Sequence, residues 1–210
     1  MKYTFLFIVI FLFFSCKKTV EKIKLSDITN DKNYKITSKQ ENDTIYHISG
    51  KNKRYNLLSG YKDIKNGIKV GWWKVTDKQS NYLYEIEYIS LNKNKENQVK
   101  FYNNGELINR FSQYYDIKYI NTGYEFKFYF PQNNYESTKV EFGYITSDGI
   151  VPPTKVTIIC KKENDYYICF IPVKNKNQFI AGIVTEFTTS KEVSGKIQLA
   201  ANNMYVNTPR

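Results

Sequence analysis

A two-residue alternation of apolar and polar side chains recurs along this chain from Asp43 onward, and no helical stripe accompanies it. Residues 124–130 show it most clearly. Phe126, Phe128 and Phe130 fall on one face, and Glu125 and Lys127 on the other. Successive strand side chains point to opposite faces, so such a segment buries one face and wets the other. Val140, Phe142 and Tyr144 repeat the pattern. Segments 44–48, 156–160, 166–171, 179–187 and 195–199 read as further strands. Turn formers separate them, among them Ser49-Gly50-Lys51-Asn52, Gly67, Gly71 and Ser147-Asp148-Gly149. The predicted class is all-β.

The N-terminus follows a different logic. Lys2 precedes an unbroken apolar run, residues 5–14, and Ser15 follows as a small residue suited to a cleavage site. The run is about half of the ~20 residues that span a bilayer as a helix. Cys16 comes directly after Ser15. This resembles the lipobox of bacterial lipoproteins, although Phe13 and Phe14 stand where that family prefers Leu and a small residue. The resemblance implies a signal peptide over 1–15, lipid on Cys16 and a membrane address in the cell envelope, at the outer membrane facing the periplasm. The polar stretch 16–42 then reads as the lipidated Cys and a tether.

Residues 43–120 contain two loosely similar hairpins. Gly71-Trp72-Trp73-Lys74-Val75 leads through a polar turn to Tyr82-Leu83-Tyr84. Val99-Lys100-Phe101 leads through Asn103-Asn104-Gly105 to Glu106-Leu107-Ile108. Leu83 and Leu107 lie 24 residues apart. These units resemble MORN-type hairpin repeats, although the first has Ser80-Asn81 in place of the turn Gly and the second has Gln98-Val99 in place of the Gly-x-Trp opening. The resemblance implies a structural or interaction module, with no catalytic residues carried over. Asn121-Thr122-Gly123 reads as a boundary, and 121–210 as a small immunoglobulin-like β-sandwich of six or seven strands.

Net charge is +11, which raises nucleic acid as a partner. Only Arg54, Arg110 and Arg210 among the 31 basic residues offer the guanidinium fork that phosphate and base recognition favour, and the lysines are dispersed. No nucleic-acid partner is expected. An envelope protein or a glycan fits better.

Candidate chemistry is sparse. If the hairpin near residue 164 turns on Asn164-Asp165 in a type I′ turn, Cys160 and Cys169 lie directly opposite and a cross-strand disulfide is permitted. A three-residue loop takes them out of opposition and leaves two small core hydrophobes. Both arrangements are compatible with the sequence. His47 is the single histidine and reads as a half-exposed strand residue. No metal or cofactor set is apparent. Glu85, Glu87, Glu141 and Glu186 are the carboxylates that a glycosidase would draw on. Trp72 and Trp73 are candidate binding aromatics, and adjacent strand positions send one of them inward. The expectation is a non-enzymatic, lipid-anchored protein that binds or scaffolds a partner. The alternatives are an envelope glycan hydrolase and an immunity-type lipoprotein that neutralises a toxin.

Overall fold

The computed structural model of the chain describes residues 25–53, 56–90, 94–132, 136–147, 155–191 and 195–208. The signal segment and Cys16 lie outside them. The described residues form an all-β protein of fifteen strands in three antiparallel sheets, with one α-helical turn, α1 (Leu25–Ile28), and two short 3-10 turns at Asp31–Asn33 and Asn109–Phe111. Among them no helix is long and apolar enough to cross a membrane.

The first sheet is a meander whose spatial order is its chain order: β1 (Lys35–Gln40), β2 (Ile45–Lys51), β3 (Asn56–Asp63), β4 (Ile68–Asp77), β5 (Tyr82–Ile89), β6 (Lys95–Asn103) and β7 (Glu106–Leu107). The turns explain this order. β3–β4 and β4–β5 each close with four residues after an aspartate, and the last of the four is left-handed: Gly67 (φ 68°) in one and Asn81 (φ 56°) in the other. Asp63 and Asp77 accept backbone hydrogen bonds from Asn66 and Gln79 at the loop starts. Asn81 therefore supplies the left-handed position that Gly67 supplies in the other turn. Asn104 (φ 50°) and Gly105 (φ 83°) make a two-residue β6–β7 turn with both residues at positive φ, as type I′ requires.

One face of the meander is buried. Ile48, Leu58, Trp73, Val75, Ile86 and Tyr88 share it, and Leu25, Ile28 and Tyr34 pack against it from the N-terminal side. Of the stretch 16–42 expected as a tether, the described residues from Leu25 onward belong to the fold instead, with α1 and β1 among them. The reason is a set of single anchors that have no period. Tyr34 donates from its hydroxyl to Ile28 O at 2.6 Å. Asp31 receives Lys62 at 2.9 Å and Lys69 at 3.3 Å.

The second region is a sandwich of two four-stranded sheets. One has the order β8 (Tyr114–Ile120), β9 (Gly123–Tyr129), β13 (Tyr166–Pro172), β12 (Lys161–Glu163). The other runs β11 (Lys155–Ile159), β10 (Glu136–Ser147), β14 (Phe179–Lys191), β15 (Ile197–Asn207). Naming β8 to β15 in chain order A, B, C, C′, D, E, F, G, the sheets are ABED and C′CFG, the immunoglobulin-like arrangement. Their inner faces share one core, in which Phe126 and Phe128 of β9 meet Phe142 of β10 edge-on at 5.1 and 5.2 Å between ring centres.

Two expectations about this region are corrected. Asn121-Thr122 is the tip of the β8–β9 hairpin rather than a boundary, and the sandwich begins at Tyr114. Asn121 takes φ 49°, which serves the turn and not a linker. Asn164-Asp165 does close a two-residue hairpin, because Glu163 pairs with Tyr166. Neither residue has positive φ, so the turn is not type I′. Its tip is held from outside, where Asn109 Nδ2 donates to Asp165 Oδ2 at 3.0 Å.

Candidate functional site

The meander and the sandwich meet at β6. A bulge interrupts the β5–β6 ladder between Glu87 and Tyr88, which pair with Gln98 and Glu96 and leave Asn97 without a partner on β5. An extra residue in one strand re-aims its side chain. Here the Asn97 carboxamide meets the edge of β15: Nδ2 donates to Tyr205 O at 2.9 Å, and Tyr205 N donates to Oδ1 at 2.6 Å. Nδ2 also donates to Glu87 Oε2 at 2.8 Å, as does Gln98 Nε2 at 2.8 Å. Gln98 Oε1 in turn accepts from Tyr115 N at 3.1 Å. Asn97 and Gln98 are both buried, so these bonds satisfy groups that water does not reach.

Beside this joint, between the meander and the outer face of the C′CFG sheet, lies an open cleft of about 900 Å³. Gly143 and Ile183 pair on its floor, with Thr157 and Tyr205 on the flanking strands. A side chain at Gly143 would meet only Thr157 Oγ1 at 3.6 Å and Ile183 O at 3.9 Å, so the glycine leaves a shallow notch. Lys95 Nζ stands 4.7 Å from the centre of the Tyr205 ring. Glu87 and Glu141 contribute carboxylates to the walls. Both are engaged: Glu87 by the two amides, Glu141 by Lys139 at 2.7 Å. The arrangement offers an apolar and aromatic floor with hydrogen-bonding walls, which suits binding of a chain or ring with apolar and polar faces.

The other expected residues fall elsewhere. Trp73 is fully buried on the meander, and its Nε1 donates to Tyr61 O at 2.9 Å. It is therefore a core residue and not a binding aromatic, because the alternation turns it inward over Gly60. Trp72 is 38 % exposed, with Lys100 Nζ 5.5 Å from its ring centre. Neither tryptophan lines the cleft. Cys160 and Cys169 form a disulfide. Cys160 is the residue at which the chain passes from one sheet to the other: its N–H bonds to Val140 O of β10, while its sulfur is bonded to Cys169 of β13. His47 Nε2 lies 3.0 Å from Ser59 Oγ on the meander, and His47 does not line the cleft.

Glu85 and Glu186 are also separate from the cleft. Burial disfavours the charge of Glu85, but hydrogen bonds from Lys74 and Tyr102 outweigh it and hold the carboxyl below its usual range. Glu186 is buried, and its Oε2 accepts from Asn202 Nδ2 at 2.8 Å. Among the described residues no three His, Cys, Asp or Glu side chains group as metal ligands would. Sequence reasoning missed Asn97 and Gln98, whose role depends on a bulge. No protein-family model and no curated protein matches this chain.

Proposed function

We propose that the chain is a lipid-anchored protein of the bacterial cell envelope, held through lipid on Cys16 at the outer membrane and facing the periplasm, where it binds or scaffolds an envelope protein or a glycan without chemical turnover. The address rests on Lys2, the apolar run 5–14 and the Ser15-Cys16 pair. More than one acyl chain anchors stably, at roughly 0.8 kcal/mol per buried CH₂. The observation that carries the binding role is the cleft. Its two wall carboxylates are committed to amide and lysine partners, whereas the floor around Ile183 and Tyr205 is open. Acid–base catalysis needs a carboxyl poised toward the substrate, and these two are engaged in holding the walls.

Two measurements test the reading separately. Cys16→Ala is expected to move the chain from the membrane fraction to the soluble or unprocessed fraction, and unchanged processing and fractionation would remove lipidation. For the cleft, the full chain and its Ile183→Lys variant are each used to capture partners from envelope extract. A partner retained by the parent and lost by the variant is expected. Equal recovery by both would remove the cleft from the proposal, and release of soluble sugars from purified cell wall would replace binding with hydrolysis.

A further inference from the structure

Among the described residues, six strands stand at the edges of the three sheets: β1, β7, β8, β11, β12 and β15. An edge strand presents unpaired N–H and C=O groups, and proteins commonly guard such edges with charge. Five of the six follow this rule. β1 carries Lys35 and Lys39, β7 Glu106, β8 Asp116 and Lys118, β11 Lys155, and β12 Lys161 and Lys162. β15 reads Ile-Gln-Leu-Ala-Ala-Asn-Asn-Met-Tyr-Val-Asn, eleven residues without a charge, in a chain of which 24% is charged.

Part of that edge is already occupied. The outward N–H and C=O of Tyr205 pair with the Asn97 side chain, and Asn203 O accepts from Gln113 Nε2 at 3.4 Å. Outward-facing backbone groups recur every second residue, so Ala201, Leu199 and Ile197 present theirs along the same side. There β15 extends beyond the meander, with Leu199 82 % exposed and Ile197 66 % exposed. The edge thus continues an intramolecular pairing surface into an uncharged, apolar, open segment.

We infer that residues 197–201 pair antiparallel with the same segment of a second copy of this chain, joining two C′CFG sheets into one eight-stranded sheet about a two-fold axis at Leu199. A second copy fits because every other edge strand would bring a charge against this one. The segment is also complementary to itself. Antiparallel pairing about Leu199 sets Ile197 opposite Ala201 on one face and Gln198 opposite Ala200 on the other, large against small in both. The outward groups of the three odd-numbered residues in each copy supply about six hydrogen bonds. Leu199 and Ile197 of both copies then form one apolar surface on the same face as the cleft. Pairing ends at Ala201, because from Asn203 onward the edge belongs to Gln113 and Asn97. The inference does not depend on lipidation or on the ligand of the cleft.

The test uses the full chain with Leu199→Cys, with Ala200→Cys as control, under mild oxidation in the envelope and in detergent extract. Directly opposed residues of an antiparallel pair bring their Cα atoms to about 5.5 Å, within disulfide reach, while a position one residue off the axis is out of reach. A covalent homodimer with Leu199→Cys and none with Ala200→Cys is expected. Leu199→Lys should halve the native mass in detergent extract while leaving the far-ultraviolet circular dichroism unchanged, because the side chain is 82 % exposed in the single copy and its own fold does not need it. A Leu199→Cys chain that stays monomeric would overturn the inference. So would equal cross-linking at 199 and 200, cross-linking to a different protein, or a native mass that Leu199→Lys leaves unchanged.

Discussion

The side chain of Asn97 pairs with the backbone of Tyr205 in the way a neighbouring strand would, donating to its carbonyl at 2.9 Å and accepting from its N–H at 2.6 Å. One carboxamide thereby joins the meander to the last strand of the sandwich, 108 residues away in sequence. It also braces Glu87, so the wall of the cleft and the joint between the two bodies are a single network.

Asn97→Ala removes this joint. The Tyr205 N–H and C=O lose their partner, and Glu87 keeps only Gln98. Buried groups left unpaired cost about 1–3 kcal/mol each, so a loss of about 3 kcal/mol is expected in urea denaturation. Both tryptophans lie in the meander, so fluorescence follows that body and far-ultraviolet circular dichroism follows both. The parent should show coincident transitions and the variant separated ones. Coincident curves in the variant would mean that Asn97 does not couple the two bodies.

Gly60 and the neighbouring tryptophans give a paired prediction. A Cβ at Gly60 would lie 2.2 Å from Trp73 Cδ2, and both the ring and the strand beneath it are fixed by the core. Gly60→Ala should therefore cost about 3 kcal/mol, at the upper end for overpacking, and shift Trp73 emission to the red. Trp72→Ala should cost under about 1 kcal/mol, as surface changes do. Similar losses from the two would contradict the inward and outward assignment.

The parts legible in the sequence are those where one periodicity decides burial. Phe126, Phe128 and Phe130 can be buried together only on a strand, and Val140, Phe142 and Tyr144 supply the facing strand of the same core. For the cysteines, counting leaves two registers open, and the Glu163–Tyr166 pairing selects the two-residue turn that sets 160 opposite 169. What stays hidden depends on single anchors or on irregularity. Leu25, Ile28 and Tyr34 have no common period, so the N-terminal cap reads as tether. Asn97 is a polar residue in a strand and reads as solvent-facing until a bulge turns it against β15. Asn121 looks like an interdomain linker because the same residue types serve hairpin tips.

The disulfide makes a prediction about the sheet crossing. Cys160 and Cys169 close a loop of nine residues' separation. The chain-entropy relation for a loop of that size amounts to about 2–3 kcal/mol. The double variant Cys160→Ala, Cys169→Ala should lose that amount in urea denaturation, with the chain still folded because both sheets keep their other pairings. A difference below about 0.5 kcal/mol would mean that the crossing is held by the Phe126–Phe142 core alone.

Burial works against the charge of Asp31, but Lys62 and Lys69 outweigh it and hold the carboxyl below its ordinary value of 3.8. Lys69 is itself buried between the Trp73 and Tyr88 rings and donates to Thr29 O, so Asp31 is the carboxylate that compensates it. Burial pulls the Lys69 amine below 10.5, with Asp31 opposing that shift. For a carboxylate with a depressed folded value, the stabilisation is full above the ordinary value and is lost as pH falls through the folded one. Asp31→Asn should therefore destabilise the chain by about 1–3 kcal/mol near neutrality, the range for stripping a buried charged group of its partner. That gap should begin to narrow as pH nears 3.8 and close only below the depressed folded value, where the parent's own carboxyl is protonated. Glu96 runs the other way, because burial raises its carboxyl. Urea denaturation of the pair at pH 7 and in the acid range measures the gap directly. A gap that stays constant down to the acid unfolding limit would show that the N-terminal cap is held by Leu25, Ile28 and Tyr34 rather than by the Asp31 charge.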